Sequence, residues 1–368
     1  MGQPVRFGVV GSGWRAGFYL RVARAFPERF AVTAVVTRSA ERGAEVERAW
    51  GVPTVRTVEE LVTGDVPGAG ARADRPELVV TSTPWPVTPE VVREVVAAGV
   101  PVLAETPPAP DVDGMRALWA DVGATDLVQV AEHSPFMPQH AARLALARAG
   151  LLGTVTSAQV SSTHLYHAVA LLRAFLGAGR GEVEVRAVTS TAPLVDPQTR
   201  DGLTGATEPA PATTTLATLD LGDGRLGLYD FTDNQWHNPL RGNRVVVRGS
   251  HGELVDDRLT RWVDPETVVD SVLVRRQAGV EQDLDGFDLL HVSLDGQVRW
   301  RNALVGGRLA DDDLAVAGLL LGCGAWVRGE GPAPYPLAEG LQDHLLGLAI
   351  GEAARTGQPV RTAREAWA

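Results

Sequence analysis

The sequence predicts an α/β protein: a doubly wound parallel sheet at the N-terminus, then a second α/β domain built on a mainly antiparallel, open sheet. Three observations carry this. Short valine-rich runs alternate with helical segments as far as Val130. A glycine string, Gly11-Ser12-Gly13-Trp14-Arg15-Ala16, follows the first run directly. Beyond Gly150 the runs lengthen and alternate polar with apolar, the signature of strands with one solvated face.

In order, Val5–Val10 is an apolar run that ends at Gly11, and Ala16–Ala25 is rich in helix formers. Ala31–Val36 is a second strand, Ala40–Trp50 a second helix, and Val58–Val62 a short helix before the Gly/Pro/Ala-rich loop Gly64–Arg75. Leu78–Val80 and Val100–Ala104 are strands flanking a helix over Pro89–Ala98; Asp111–Val122 is helical and Leu127–Val130 a further strand. This alternation means βαβ units around a parallel sheet buried on both faces. Pro138–Ala149 reads as a helix closed by Gly150. Strands follow at Val155–Thr163, Val183–Thr191, Thr213–Leu221, Arg225–Asp233 and Arg244–Arg248, with Gly222-Asp223-Gly224 as a hairpin turn. Leu194–Ala212 reads as a long loop, and two helices, Asp312–Val327 and Leu337–Arg355, close the chain. The pattern divides the chain into 1–135 and 136–368.

Composition narrows the function classes. The 368 residues are 45% hydrophobic and 21% charged, with a formal net charge of −11, and no basic stripe suits nucleic acid. No apolar run reaches the roughly 18 residues of a membrane span, and the first residues enter a strand without a signal-peptide pattern, so a cytoplasmic protein is expected. The single cysteine, Cys323, lies in an apolar segment and reads as a buried small hydrophobe. All 34 basic residues are arginine, so no lysine can act as acid, base or Schiff-base nucleophile.

The glycine string sits where a dinucleotide-binding Rossmann domain requires it, between a strand and a helix. Gly11 allows the tight turn, Gly13 lets backbone approach a pyrophosphate, and Ala16 permits close packing of helix on strand. Ser12, Trp14 and Arg15 complete the loop. At the tip of the second strand an NAD-binding domain carries an acid for the ribose 2′-hydroxyl; here stands Thr37-Arg38-Ser39. Arg38 can pair with a 2′-phosphate while Thr37 and Ser39 hydrogen-bond it, which favours NADP(H) over NAD(H). The alternative is that Glu41 serves as the acid. Thr81, Thr83 and Pro84 end another strand and are placed near the nicotinamide half; Trp85 either covers the ring or packs.

These pieces resemble the Gfo/Idh/MocA oxidoreductase family. The matching strings are the glycine loop, Thr83-Pro84, Ala98-Gly99-Val100-Pro101-Val102-Leu103-Ala104-Glu105-Thr106-Pro107, Gly153-Thr154-Val155, His167–Arg173 and Asp343-His344-Leu345 through Val360. The resemblance implies ligands in a cleft between two domains, with Glu105 and Thr106 near the cofactor and an open sheet making a homo-oligomer, a dimer or tetramer. It also exposes departures. Members carry Glu-Lys-Pro where this chain has Glu105-Thr106-Pro107, and the lysine binds substrate and assists proton transfer. An Asp precedes the helix histidine by four residues in the family; here it is Thr163. The Asp three residues after it is Ala170, and a histidine after Thr-Pro is Thr88.

Without lysine, the candidate acids and bases are His167, His164 and Tyr166, at a helix start that Ser162 or Thr163 can cap; the histidines share one face while Leu165, Val169 and Leu172 turn to the core. The bland alternative is structural histidines bonded to backbone. A polar cluster over Asp230–Asn238 offers Asp233, Gln235, Trp236 and His237 as substrate contacts, or else is a solvated loop. No metal is expected, since no ligand spacing is present. The expected activity is NADP(H)-dependent hydride transfer to or from a sugar, cyclitol or related carbonyl or alcohol. The alternatives are an imine reductase similar to the thiazolinyl imine reductases, which also show Glu-x-Pro, and a non-catalytic NADP-binding protein.

Overall fold

The computed structural model describes residues 3–65, 75–279 and 288–368. The loop expected over Gly64–Arg75 therefore falls largely outside the described residues. In the first part, strands β1 (Val5–Val10), β2 (Phe30–Val36), β3 (Thr54–Val55), β4 (Leu78–Thr81), β5 (Val102–Ala104) and β6 (Val128–Val130) alternate with helices α1 (Ala16–Ala25), α2 (Ala40–Trp50), α3 (Val58–Thr63), α4 (Thr88–Ala97) and α5 (Val112–Val122). The strands form one parallel sheet in the order β3-β2-β1-β4-β5-β6. The order reverses between β1 and β4, and in such a sheet ligands sit at the carboxyl ends of the strands beside that reversal. Only β3, two residues long, escaped the sequence reading.

Helix α6 (Pro138–Arg148) leads to β7 (Val155–Ser161) and α7 (Leu165–Leu176). Then come β8 (Glu184–Leu194), β9 (Gln198–Thr199), β10 (Gly202–Leu203), β11 (Ala210–Asp220), β12 (Leu226–Thr232), β13 (Arg244–Gly249), β14 (Gly252–Val255), β15 (Arg258–Asp264) and β16 (Thr267–Val272). The chain finishes with β17 (Val274–Ala278), β18 (Asp288–Leu294), β19 (Gln297–Arg301), α8 (Asp311–Val327), α9 (Leu337–Thr356) and β20 (Val360–Arg361). Nine strands make a mixed sheet, β16-β15-β14-β13-β7-β12-β11-β8-β20, in which β12 and β7 run parallel and the other pairs antiparallel. The hairpin at Gly222-Asp223-Gly224 joins β11 to β12 as read, with all three residues at positive φ.

The long loop expected over Leu194–Ala212 is more ordered than that. Strands β8 and β11 extend into it from both sides, and β9 and β10 pair as a small flap at its tip. Ladder hydrogen bonds between β8 and β11 override the Pro- and Thr-rich local signal.

One face of the second sheet packs on α6, α7 and the C-terminal half of α9 through Leu144, Leu171, Phe175 and Ile350. The cores of the first sheet receive help from the end of the chain: α8 joins Phe7, Tyr19 and Leu20, while Leu337, Leu341 and Trp367 pack beneath α5. Arg21 on α1 grips Asp313 on α8 with two nitrogens, at 3.0 and 2.8 Å. Cys323 is buried in this contact, as its apolar neighbours implied. Among the described residues no helix is long and apolar enough to cross a membrane.

Candidate active site

A cleft of about 1880 Å³ runs from the glycine loop, past the ends of β4 and β5, to the start of α7. At one end Gly11 has φ +104°, and a Cβ there would lie 2.2 Å from the Ser82 carbonyl oxygen. Only glycine makes this turn. A Cβ on Gly13 would meet no protein atom within 4 Å, so the space beside its backbone is open for a close ligand. Ala16 is buried at the start of α1, whose first N–H groups lack intrahelical acceptors and carry partial positive charge. This cradle fits a dinucleotide pyrophosphate.

At the tip of β2, Thr37 is buried and Arg38 exposed, and both line the cleft. Ser39 caps α2, accepting from Arg42 N–H at 3.2 Å, and does not line the cleft itself. Two arginines that the sequence reading did not single out complete this corner. Arg42 Nε donates to Ser12 Oγ at 2.9 Å, and Arg56 Nη1 donates to Thr37 Oγ1 at 2.5 Å. Glu41 is exposed on the first turn of α2, and the cleft lining does not include it. At the end of β4, Thr83 Oγ1 and Thr88 Oγ1 lie 2.9 Å apart. Thr81 is fully buried with its hydroxyl unpartnered, beneath the cleft wall that Thr83, Pro84 and Trp85 form.

The opposite end holds the titratable groups. Glu105 accepts from Arg15 Nε at 2.9 Å and from the Tyr19 hydroxyl at 2.5 Å, so its carboxylate is tied down beside Thr106. Glu132, two residues past β6, is buried and accepts from His167 Nδ1 at 2.6 Å. The imidazole holds the Glu132 carboxyl down to about 2 against the cost of burial, with further help from His133 and the Ser134 N–H. His133 Nε2 lies 3.2 Å from Asp312, and its ring stands edge-on to His167 at 5.3 Å.

Helix α7 starts under constraint. Leu165 has φ +37°, in the left-handed region, and its N–H bonds the Tyr229 hydroxyl at 3.3 Å. Such a kink at a non-glycine residue is held by its surroundings and aims the next side chains. The N-cap is His164, not Ser162 or Thr163, and no side chain caps the helix. The chain bends at Ser162 and Thr163 and only His164 is extended before the helix, so the helix begins beyond the reach of the two hydroxyls. Val169 and Leu172 are fully buried, as expected.

The three candidate acid–base residues now separate chemically. Desolvation and the neighbouring His167 push His164 down to about 3, so it is a neutral hydrogen-bonding group near pH 7. Burial and the Glu132 charge push the Tyr166 phenol well above its ordinary range, so it keeps its proton, and it lines the cleft with Thr106. His167 pairs with a buried carboxylate through one nitrogen and lines the cleft. Trp236 and His237 line the same cleft; the Trp236 indole donates to Thr163 Oγ1 at 3.3 Å and meets His164 edge-on at 4.5 Å.

Asp233 and Gln235 are a correction: they do not line the cleft. Asp233 accepts from Thr213 N–H at 3.0 Å on the sheet. Gln235 is buried as a bracket, accepting from Thr232 N–H at 2.9 Å and donating to the Ser161 carbonyl at 2.6 Å. Backbone groups at the end of β12 need partners, and these side chains supply them. Glu132, His133 and His167 also bring three potential ligand atoms within 4.8 Å of one another, from chain segments too far apart for a spacing motif. The direct 2.6 Å contact between carboxylate and imidazole is the arrangement of an acid–base pair.

Residues 5–132 match the model of the oxidoreductase family with an NAD-binding Rossmann fold, Gfo/Idh/MocA. The match covers the first domain of the chain. No curated protein sequence matches. Solved structures share the fold over nearly the whole length. An oxidoreductase from Agrobacterium radiobacter in complex with NAD+, L-tartaric acid and magnesium is 15% identical, with TM-score 0.67, covering 97% of this chain and 98% of that one. A myo-inositol dehydrogenase from Corynebacterium glutamicum is 18% identical, with TM-score 0.65, covering 98% and 100%. The WlbA dehydrogenase from Bordetella pertussis, in complex with NADH and UDP-GlcNAcA, is 15% identical, with TM-score 0.65, covering 99% of each chain.

Proposed function

We propose that this chain is an NADP(H)-dependent oxidoreductase acting on a small polar alcohol or carbonyl of the sugar or cyclitol kind, with His167 and Glu132 doing the proton work that lysine does elsewhere in the family. The observation that carries this is the 2.6 Å Glu132–His167 pair in the same cleft as the glycine loop. Similar folds in a myo-inositol dehydrogenase and in a dehydrogenase holding a sugar nucleotide support the substrate class.

When bound, the nicotinamide supplies or accepts the hydride. His167 handles the accompanying proton. Its Nδ1–H donates to Glu132, which fixes the tautomer and leaves Nε2 for the substrate oxygen. In the alcohol-to-carbonyl direction Nε2 takes the hydroxyl proton; in reverse, the imidazolium returns it. The buried carboxylate stabilises that imidazolium. Tyr166, always a phenol near neutral pH, offers a hydrogen-bond donor in the same cleft as Thr106, which stands at the position of the family lysine. His164 and Trp236 form a neutral aromatic wall for the substrate.

The preference for NADP(H) rests on Arg38 just past β2 and Arg42 on α2, on Glu41 lying outside the cleft, and on the charge-assisted bonds that guanidinium makes to phosphate. A homo-oligomer belongs to this reading, since Val268 and Val272 on edge strand β16, Trp262 on its neighbour β15 and Val274 on edge strand β17 are exposed. Titration with NADPH and NADH, followed by assay against polyols, sugars, ketones and cyclic imines, tests the proposal. Tighter binding of NADPH and turnover of a polyol or sugar support it. Turnover of cyclic imines alone assigns an imine reductase, and binding without turnover of any class favours a non-catalytic NADP-binding protein.

A further inference from the structure

The flap formed by β9 and β10 crosses from the second sheet to the glycine loop. Its turn residue Arg200 places the guanidinium carbon 4.0 Å from the centre of the Trp14 ring. Trp14 is itself 56% exposed and braced edge-on by Phe18 at 4.8 Å. Thr199, Arg200 and Asp201 line the same cleft as Gly11, Gly13 and Trp14.

The flap is pinned at its base. Asn234 Nδ2 donates to the Asp196 carboxylate at 2.7 Å and to the Gln198 carbonyl at 3.0 Å. Asn238 Nδ2 donates to the Val195 carbonyl at 2.9 Å, and Thr204 Oγ1 to the Asp196 carbonyl at 2.7 Å. Of the arginines on the other side of the cleft, Arg38 stands at the ribose end, and three are engaged by the protein: Arg15 by Glu105, Arg42 by Ser12 and Glu45, Arg56 by Thr37. Arg200 has only the indole face as a partner among the described residues. A cation–π contact at this distance holds the guanidinium in place without using its five N–H donors.

We propose that Arg200 is a cofactor-binding residue supplied by the second part of the chain, closing over the glycine loop to pair with the pyrophosphate of the dinucleotide. This rests on the dinucleotide reading above. The N-terminus of α1 presents N–H groups from below, and Arg200 presents a planar donor fork from above. Stacking on Trp14 sets the fork before the ligand arrives, which lowers the ordering cost of binding.

The test is titration of wild type, Arg200→Ala, Arg200→Lys and Arg38→Ala with NADPH and with NADH. Arg200 is exposed, so its loss leaves the core intact, and an unchanged circular dichroism spectrum checks this. A charge-assisted contact predicts Kd raised roughly 10- to 100-fold in Arg200→Ala. The loss is equal for the two dinucleotides because both carry the pyrophosphate. Arg200→Lys keeps the charge without the fork and falls between. Arg38→Ala weakens NADPH alone. Unchanged affinity in Arg200→Ala overturns the proposal, as does a loss confined to NADPH, which would put Arg200 on the 2′-phosphate. If wild type binds neither dinucleotide, the cofactor reading itself fails and takes this proposal with it.

Discussion

Replacing Glu132 by glutamine keeps the side chain's shape and removes its charge. The carboxylate is 1% exposed and 2.6 Å from His167 Nδ1. That charge orients the His167 ring through Nδ1 and favours the cation that forms on it during turnover. Glutamine retains one hydrogen bond to the ring, so part of that survives. We expect kcat to fall roughly 10²- to 10³-fold, equivalent to about 3–4 kcal/mol of barrier. Glu132 acts through His167 and lies away from the glycine loop, so the Kd for NADPH should stay within about twofold. Glu132→Asp, which restores the charge at a longer reach, should recover part of kcat.

Stability gives a second readout with a definite sign. The Glu132 carboxyl sits at about 2 in the folded chain, below its ordinary value of 4.5. A depressed carboxyl stabilises the fold above its unfolded pKa, and that stabilisation is lost as pH falls from about 4.5 through about 2. The difference is worth roughly 3 kcal/mol. Glu132→Gln should therefore be less stable than wild type at pH 7, and the gap should close in strong acid. Steady-state kinetics on whichever substrate turns over, together with denaturant melts across pH, measure both. A folded Glu132→Gln protein that keeps kcat within about threefold of wild type would refute the acid–base role.

Other outcomes follow from the same geometry. Arg38→Ala combined with Arg42→Ala should raise the Kd for NADPH roughly 10- to 100-fold and leave NADH unchanged, as read by fluorescence titration. Gly11→Ala forces a Cβ against the Ser82 carbonyl at positive φ, so dinucleotide binding should disappear and the melting temperature fall. Arg173 is buried and bonds Asp343 and Glu339, each at 2.6 Å, with Tyr335 also on Asp343. Arg173→Met leaves a buried carboxylate unpaired between α7 and α9, and should cost about 3–5 kcal/mol, or roughly 5–10 °C by calorimetry.

The fold was legible because its signals are local and periodic: valine runs, glycine turns and helix caps repeat at the spacing of βαβ units. The glycine loop was legible for the same reason, since Gly11 and Gly13 each have a meaning fixed by their neighbours. The chemical end was only partly so. His167 was visible at the start of a helix, but its partner Glu132 comes from 35 residues earlier, across the cleft. One available signal pointed to it: Glu132 stands at the carboxyl end of a strand, where the rule that found Thr83 and Pro84 also applies. Arg42 and Arg56 converge on β2 from a helix and from the turn after β3, and neither position is distinctive in one dimension. Asp233 and Gln235 misled because a polar cluster that satisfies backbone groups looks the same in sequence as one that faces a ligand.

The central claim is that hydride and proton transfer meet where Thr106, Tyr166 and His167 converge. A crystal structure with NADP+ bound tests it most directly. The pyrophosphate should lie on residues 11–16 and the 2′-phosphate by Arg38 and Arg42, and nicotinamide C4 should face a substrate-sized space bounded by Tyr166 and His167 Nε2. A nicotinamide whose C4 faces a wall containing neither His164 nor His167 would contradict it.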